Sequence, residues 1–353
     1  MTHGPRRRRI LYVGWLHPGN TSAHRLEAMR RLGQDVVPFA VDDFVPHSRY
    51  VAALQHRYPI GPLIMRVNRA LQEAAREHRP DVVWFDKPVH FHPGTLHAIR
   101  SLGATTVCFN MDNPFGPRHD GCWMQFYRVW KLFDLHCLFR TVDIARYAGW
   151  GVPALKISLS YDPAVHFAPP RRWSDKDRDR ELAYTGSPLE DRPGFLAALG
   201  DRYRLPVSVA GPRWNLQWSA EHQEHYLLSS ELLEDRRYRE AIWRSKVNLA
   251  FVTHMNEEDV AHKSFEIAAC GQFLLAERSP GHEQAFAENR EAVFFSSLEE
   301  CAEKAQFYLA RPELRARIAA AGRARALRSG YSNDDQLTQV LLHLDGHELR
   351  RAA

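Results

Sequence analysis

The sequence predicts an α/β protein: two Rossmann-like parallel-sheet domains facing a cleft, with a C-terminal helical extension. Three observations carry this reading. Short apolar strand patterns alternate with helical ones almost throughout, as parallel sheets covered by helices require. At 353 residues the chain is longer than one core usually serves, which favours two domains. The alternation also lapses once, over 159–180 (LSYDPAVHFAPPRRWSDKDRDR), a stretch rich in proline and charge that reads as a linker.

The first-half strand candidates are ILYVG (10–14), DVVPF (35–39), DVVWF (81–85), TTVCF (105–109), LHCLF (135–139) and ALKIS (154–158). Helical stretches such as HRLEAMRRLG and RVNRALQEAAREH lie between them. After the linker come ELAYTG (181–186), LPVSVAG (205–211), KVNLAFV (246–252), QFLLA (272–276) and AVFFS (292–296). Residues 264–270 predict a short helix stopped by Gly271, because glycine is the usual residue just past a helix end. Two strongly helical segments close the chain, LEECAEKAQFYLARPELRARIAAAGRARALRSG and DQLTQVLLHLDGHEL. The expected domains are 1–160 and 181–331, joined by a linker at 161–180 and followed by a helix within 332–353.

Composition narrows the function classes. With 44% hydrophobic and 25% charged residues and a mean hydropathy of −0.44, the chain reads as ordinary, soluble and globular. No window approaches the roughly 18 apolar residues of a membrane span. Ile10–Leu16 is too short for a signal peptide and runs into His17-Pro18-Gly19 without a cleavage site. Arg6–Arg9 are either a solvated start or a weak peripheral contact with acidic phospholipid or glycolipid. A net charge of +5 suits anionic ligands, and no zinc-finger, RRM-like or homeodomain-like pattern argues for nucleic acid. Five scattered cysteines in apolar runs read as reduced core residues of a cytosolic protein.

In such folds ligands bind at the carboxyl ends of strands, so the loops there carry the candidates. The first, GWLHPGNTSAHRLE, offers Gly19, Asn20 and Thr21 at a helix start, with Ser22 or Thr21 as N-cap. Its backbone N–H groups suit an anion or a sugar hydroxyl, or it is simply a capped turn. His24 and Arg25 follow in reach of the cleft. The second loop, WFDKPVHFHPG, places Asp86 and Lys87 as a strand-end ion pair and His90 and His92 on one side of an extended segment. Two histidines without further ligands do not make a metal site. The third, FNMDNPFGPRHDG, holds Asp112, a candidate base or acceptor-hydroxyl ligand in a stretch that also forms turns readily.

In the second half, YTGSPLEDRPGFL puts Gly186-Ser187 ahead of a helix from about Glu190, a place for a diphosphate oxygen. VAGPRW adds Arg213 as a phosphate clamp and Trp214 as a surface for a base. AFVTHMNEEDVAHKSFE crowds His254, Asn256, Glu258, His262 and Lys263 before the Glu266 helix. A lysine at a helix N-terminus opposes the helix dipole by a few tenths to ~1 kcal/mol. Its presence is explained by an anion between it and the helix N–H groups, or it is a solvated side chain. Glu266 is placed in the first turn, where an acid is favoured in any case.

The run KSFEIAACGQFLLAER resembles the core of the CgeB-like, spore-maturation type glycosyltransferases within the group-1, GT-B glycosyltransferases. The similarity continues through YTGSPLEDR, SKVNLAF, EAVFFSSLEECAEKAQFYLARPELRARIAAAGRARAL and SGYS, most of 180–332. Residues 10–165 match in layout only, through GNTS, FDK and MDNPFG. The resemblance implies a nucleotide-diphosphate sugar as donor substrate, held by the second domain with Glu266 on the ribose hydroxyls. Glu258-x7-Glu266 is similar to the E-x7-E signature of retaining members, in which the first glutamate lies near the donor sugar. Here no G-F-G follows Glu258, and Lys263 replaces the usual arginine. The implied reaction needs no obligatory metal and no other cofactor. Lys263, Arg213 and the Gly186-Ser187 N–H groups would neutralise the leaving diphosphate, with His254 beside them. The acceptor would meet Gly19, Asn20, Thr21, His24, Asp86 and Asp112. In a retaining reaction the leaving phosphate assists the acceptor; in an inverting one Asp112 or His24 is the base. The family's last helix crosses back to the first domain. The acceptor stays open among glycan, lipid-linked, protein and small-molecule classes. The rivals are a sugar-nucleotide epimerase on the same fold and a catalytically silent GT-B scaffold.

Overall fold

A computed structural model describes residues 4–46, 48–117 and 121–352. The chain forms two compact units, Met1–Ser158 with Asn333–Ala353, and Leu159–Ser332. Each is a six-stranded parallel sheet flanked by helices, the arrangement of a GT-B fold.

The first sheet comprises β1 (Arg9–Gly14), β2 (Asp35–Ala40), β3 (Val82–Asp86), β4 (Thr105–Phe109), β5 (Leu135–Leu138) and β6 (Ala154–Lys156). Its strand order is β2-β1-β3-β4-β5-β6. Every residue of β3 is buried, as continuous apolar runs in two-sided parallel sheets are. Pro38 fits in β2 because that strand is at the sheet edge. The final helix, Asn333–Ala352, belongs to this unit. It is held by Arg31 to Asp334 at 2.6 Å and by Arg8 to Asp345 at 2.6 Å. The arginine run is therefore not free for a membrane as a whole. Arg8 is 2% exposed, and Arg9 donates to Asp35 at 3.0 Å.

The second sheet comprises β7 (Arg180–Thr185), β8 (Val207–Ala210), β9 (Leu227–Ser229), β10 (Ser245–Ala250), β11 (Leu274–Glu277) and β12 (Val293–Phe295). Its order is β12-β11-β10-β7-β8-β9. The long C-terminal helical run breaks at Pro312 into Leu298–Leu309 and Pro312–Arg328, since proline starts helices but cannot continue them. Residues 159–180 have little regular structure but are not loose: Leu159, Tyr161, Asp162 and His166 are buried, and Tyr161 bridges Ser332. All five cysteines are buried thiols outside any disulfide. No described helix is long and apolar enough to cross a membrane.

In both sheets strand order reverses once, between β1 and β3 and between β7 and β10. Crevices at the carboxyl ends of such switch points are where open α/β sheets bind ligands.

Candidate functional site

At the second switch point three backbone segments converge on Gly186. The loop after β8 brings Gly211 so close that a Cβ there would meet Gly186 O at 2.2 Å. Gly211 also has φ +146°, which only glycine adopts readily. The Trp214 indole donates to the same oxygen at 2.7 Å. On the other side stands Lys263, whose Cε and Nζ would lie 2.7 and 2.9 Å from a Cβ on Gly186. The missing side chain is what admits the ammonium.

Lys263 is the second residue of the helix His262–Ala269, at the positive end of the helix dipole. Among the described residues no carboxylate lies within 4.0 Å of its ammonium. Its neighbour is a ring: Nζ sits 5.5 Å from the Tyr238 centroid, a cation–π contact. Two like charges, ammonium and helix end, thus share a crevice without a carboxylate in direct contact; the ammonium's electrostatic partner is Glu266, one turn on.

Glu266 lies one turn further on, not in the first turn, and is buried at 5% exposure. Tyr238 Oη donates to its Oε2 at 2.5 Å. His262 Nδ1 and His166 Nε2 stand 3.4 and 3.6 Å from Oε1. His166 Nδ1 accepts the Asp162 N–H at 3.1 Å, so Nε2 carries the proton that faces the carboxylate. Burial pushes the Glu266 carboxyl up, but His262, His166, Lys263 and the Tyr238 hydroxyl outweigh it and hold it down at about 2. An acid so strong stays ionised and can only accept hydrogen bonds; it suits a diol, not proton transfer.

The helix carrying both residues is set by His282, which is fully buried. Its Nε2 lies 3.3 Å from Ala261 N, which donates to it, and 2.8 Å from Ser264 Oγ. Its Nδ1 faces Ser279 Oγ at 2.9 Å. Arg192 ties the neighbouring loop, donating to Tyr184 Oη, Val252 O and Thr253 Oγ1 at 3.0, 2.9 and 3.1 Å. The helix expected from Glu190 begins at Arg192 instead.

Other second-half candidates divide. Ser187 is half-buried, and its carbonyl accepts from Tyr184 Oη at 3.2 Å. Arg213 is exposed with φ 69° and ψ 8°. Trp214 corrects the expectation of a base-stacking surface: it is fully buried in the core, where its large apolar area is better satisfied. His254 is exposed and lies 2.7 Å from Glu277 Oε1. Glu258 accepts from Thr253 N at 3.0 Å and from Asn256 Nδ2 at 3.5 Å, both within its own loop.

The first switch point is occupied by the protein itself. Asp86 Oδ2 accepts from Tyr12 Oη at 2.8 Å and from Arg25 Nη2 at 2.7 Å. Asp86 and Arg25 are buried, and Arg25 lies over the Phe109 ring at 4.3 Å. Arg25 therefore does not reach outward, and Asp86 does not pair with Lys87. Lys87 pairs instead with Asp112 at 2.5 Å. Gly19 has φ 77°. The helix cap is Asn20, not Ser22 or Thr21: its side chain accepts from Ser22 N at 2.8 Å, and the helix begins at Thr21. Asparagine's carbonyl reaches the free N–H groups as well as a hydroxyl does. His24 is half-buried in the helix's first turn. His90 is buried, and His92 caps the next helix. Arg118–Asp120 of the Asp112 loop lie outside the described residues. Among the described residues no cluster of three or more metal-ligating side chains is present.

Tyr238, His166, His282 and Arg192 were not legible as site residues. Tyr238 is 28 positions from Glu266, Arg192 is 61 from Thr253 though only 8 from Tyr184, and His282 is 18 from Ser264.

The profile of the glycosyl transferase-like family matches residues 192–341. Among solved structures, HepE of Anabaena in complex with UDP-glucose is 13% identical with a TM-score of 0.67, covering 96% of this chain and 100% of that one. Sucrose-phosphate synthase from Thermosynechococcus elongatus is 12% identical with a TM-score of 0.66, covering 98% and 100%. A putative UDP-N-acetylglucosamine 2-epimerase from Listeria monocytogenes is 11% identical with a lower TM-score of 0.57, covering 97% and 96%. No curated protein sequence matches. Residues 192–341 match the glycosyl transferase-like family, and the chain has the GT-B fold of the glycosyltransferases.

Proposed function

We propose that the protein transfers a glycosyl group from a nucleoside-diphosphate sugar to a hydroxyl-bearing acceptor. The observation that carries this is the Lys263 ammonium, without a direct ion pair, against side-chain-free Gly186 at the second switch point. The donor diphosphate lies there, on Lys263, the Ser187 N–H and the first turn of the Lys263 helix, with Arg213 and His254 at the rim; the Gly186 N–H, also expected there, is taken by Ala210 O at 2.8 Å. Glu266, held ionised, accepts from the ribose diol. UDP is the first nucleotide to test, because the similar HepE structure holds UDP-glucose.

The bond from the sugar's anomeric carbon to the diphosphate oxygen breaks, and a bond from that carbon to the acceptor oxygen forms. Lys263 and the helix end stabilise the negative charge that develops on the leaving group. The acceptor's proton goes to the leaving phosphate in a retaining course, or to Asp112 or His24 in an inverting one. Gly19, Asn20, Thr21 and Asp86 form or support the acceptor side. Glu258 is assigned to holding its own loop, since both its oxygens are engaged there. With the charge supplied by Lys263, turnover in this reading continues in the presence of EDTA.

The test is a thermal-shift panel of UDP-, GDP-, dTDP- and CMP-sugars on wild type and Glu266→Ala, followed by assay of nucleoside-diphosphate release. A ligand at 100 times its Kd adds about 2.7 kcal/mol. A shift with one nucleotide class that Glu266→Ala abolishes, together with diphosphate release, supports the transferase. A shift with conversion of the sugar but no release points to an epimerase. No shift in folded protein overturns the donor site.

A further inference from the structure

The second unit holds a cavity of about 740 Å3 away from the donor crevice, within the roughly 300–1,000 Å3 of small-molecule sites. It lies at the opposite, amino edge of the same sheet. Its walls are the segment ahead of β7, the first residues of β10, residues 271–273 ahead of β11, and the helix Pro312–Arg328.

Seven basic side chains outweigh the two lining carboxylates, Asp175 and Glu313: Arg171, Arg172, Lys176, Arg178, Lys246, Arg315 and Arg323. Three are neutralised, Arg171 by Asp177, Lys246 by Glu181 and Arg315 by Asp175. The other four have no carboxylate within 4.0 Å among the described residues. Arg178 is fixed by neutral acceptors only, Trp173 O at 3.2 Å and Gln272 Oε1 at 3.0 Å. The Nε of Arg323 is buried with no hydrogen-bond partner. A buried donor without an acceptor, beside several like charges, is unfavourable unless something else supplies negative oxygens. Burial, and secondarily the Arg315 charge against the pull of Asp175, lowers the Arg178 guanidinium. The floor is apolar, formed by buried Phe273 and Ala319.

We propose that this cavity is a second anion site, separate from the donor crevice, that binds a phosphate- or pyrophosphate-bearing compound. The guanidinium forks of Arg178 and Arg323 match phosphate oxygens. Several uncompensated cations call for a multiply charged group, and Phe273 and Ala319 accept the carbon skeleton attached to it. Gly271 and Gln272, which line the cavity, directly follow the helix that carries Lys263 and Glu266.

The test is calorimetric titration of the full chain with inorganic pyrophosphate in the Lys263→Gln background, which weakens the donor crevice. One remaining site is expected, weakened roughly tenfold or more when Arg178→Gln and Arg323→Gln are added, as loss of charge-assisted contacts implies. Arg172→Gln with Lys176→Gln, both exposed, gives a smaller loss and guards against misfolding of the first pair. Sedimentation with phosphatidylglycerol vesicles, but not phosphatidylcholine ones, lost in Arg178→Gln/Arg323→Gln, identifies a lipid headgroup as the source. Pyrophosphate binding without sedimentation identifies a soluble phosphorylated compound. Absence of pyrophosphate binding in Lys263→Gln, or binding unchanged by both cavity pairs, overturns the proposal.

Discussion

The two switch points answer the same topology in opposite ways. In the first unit the crevice between β1 and β3 is closed by its own chemistry: Asp86, Arg25 and Tyr12 satisfy one another out of water. In the second, the crevice between β7 and β10 keeps a cation with no direct ion pair among the described residues, only the charge of Glu266 one turn away. A neutralised buried pair is structural, because breaking it strands a charge. A cation left without a partner beside a helix N-terminus costs folding energy, and an anion can offset that cost. The same fold thus uses one switch point for cohesion and, in the function we propose, leaves the other to a ligand.

The largest effect should come from breaking the closed side. Arg25→Gln leaves Asp86 buried without its cation, and denaturant unfolding should show a loss of about 3–5 kcal/mol. A mild loss, under about 1 kcal/mol, would mean that the crevice admits water and that the contrast between units is false.

Acid should come next. Burial holds the imidazoles of His90 and of His282 down to about 4. The unfolded chain takes up these protons from about pH 6.5, the folded one only near 4. Stability is therefore full above about pH 6.5 and falls as pH drops toward 4, by up to about 3 kcal/mol per histidine. Protonated His282 can no longer accept from Ala261 N, so donor affinity of the folded protein should hold down to about pH 5 and fall only as pH passes about 4. Thermal unfolding between pH 6.5 and 4 and donor titration through pH 4 check the two, and donor affinity unchanged below pH 4 in folded protein would detach His282 from the site.

Lys263→Gln sharpens the comparison from the open side. It removes no ion pair, so stability should change by less than about 0.5 kcal/mol. Donor affinity should drop roughly 10- to 100-fold with loss of a charge-assisted contact. A stability loss comparable to that of Arg25→Gln would show that Lys263 is structural after all. The smallest effect belongs to Tyr238→Phe, which takes one donor from Glu266. Donor affinity should weaken by about tenfold or less, with the acid limb of Glu266 moving upward from about 2.

Much of the fold was legible because periodicity and turn chemistry are local. Strand candidates such as DVVWF and KVNLAFV lie within a residue or two of β3 and β10, and Gly271 ends the Glu266 helix as glycines do. β9 was missed, since LLS is short and has no apolar run of its own. Around the candidate site, the places of Gly186 and Lys263 were readable from a glycine at a strand end and a cation at a helix start. Trp214 was misread because an aromatic beside a loop serves a core or a ligand equally well, and only packing decides.

The sequence by itself determined two alternating α/β halves, their punctuation, and a lysine at a helix start. Those follow from interactions between residues a few positions apart. The tertiary structure alone decided which charges would be cancelled. Asp86 meets Arg25 across 61 positions, and Glu266 meets Tyr238 and His166 across 28 and 100 positions (266 − 238 and 266 − 166). Pairing at that range is set by strand order and helix packing, which no local pattern encodes.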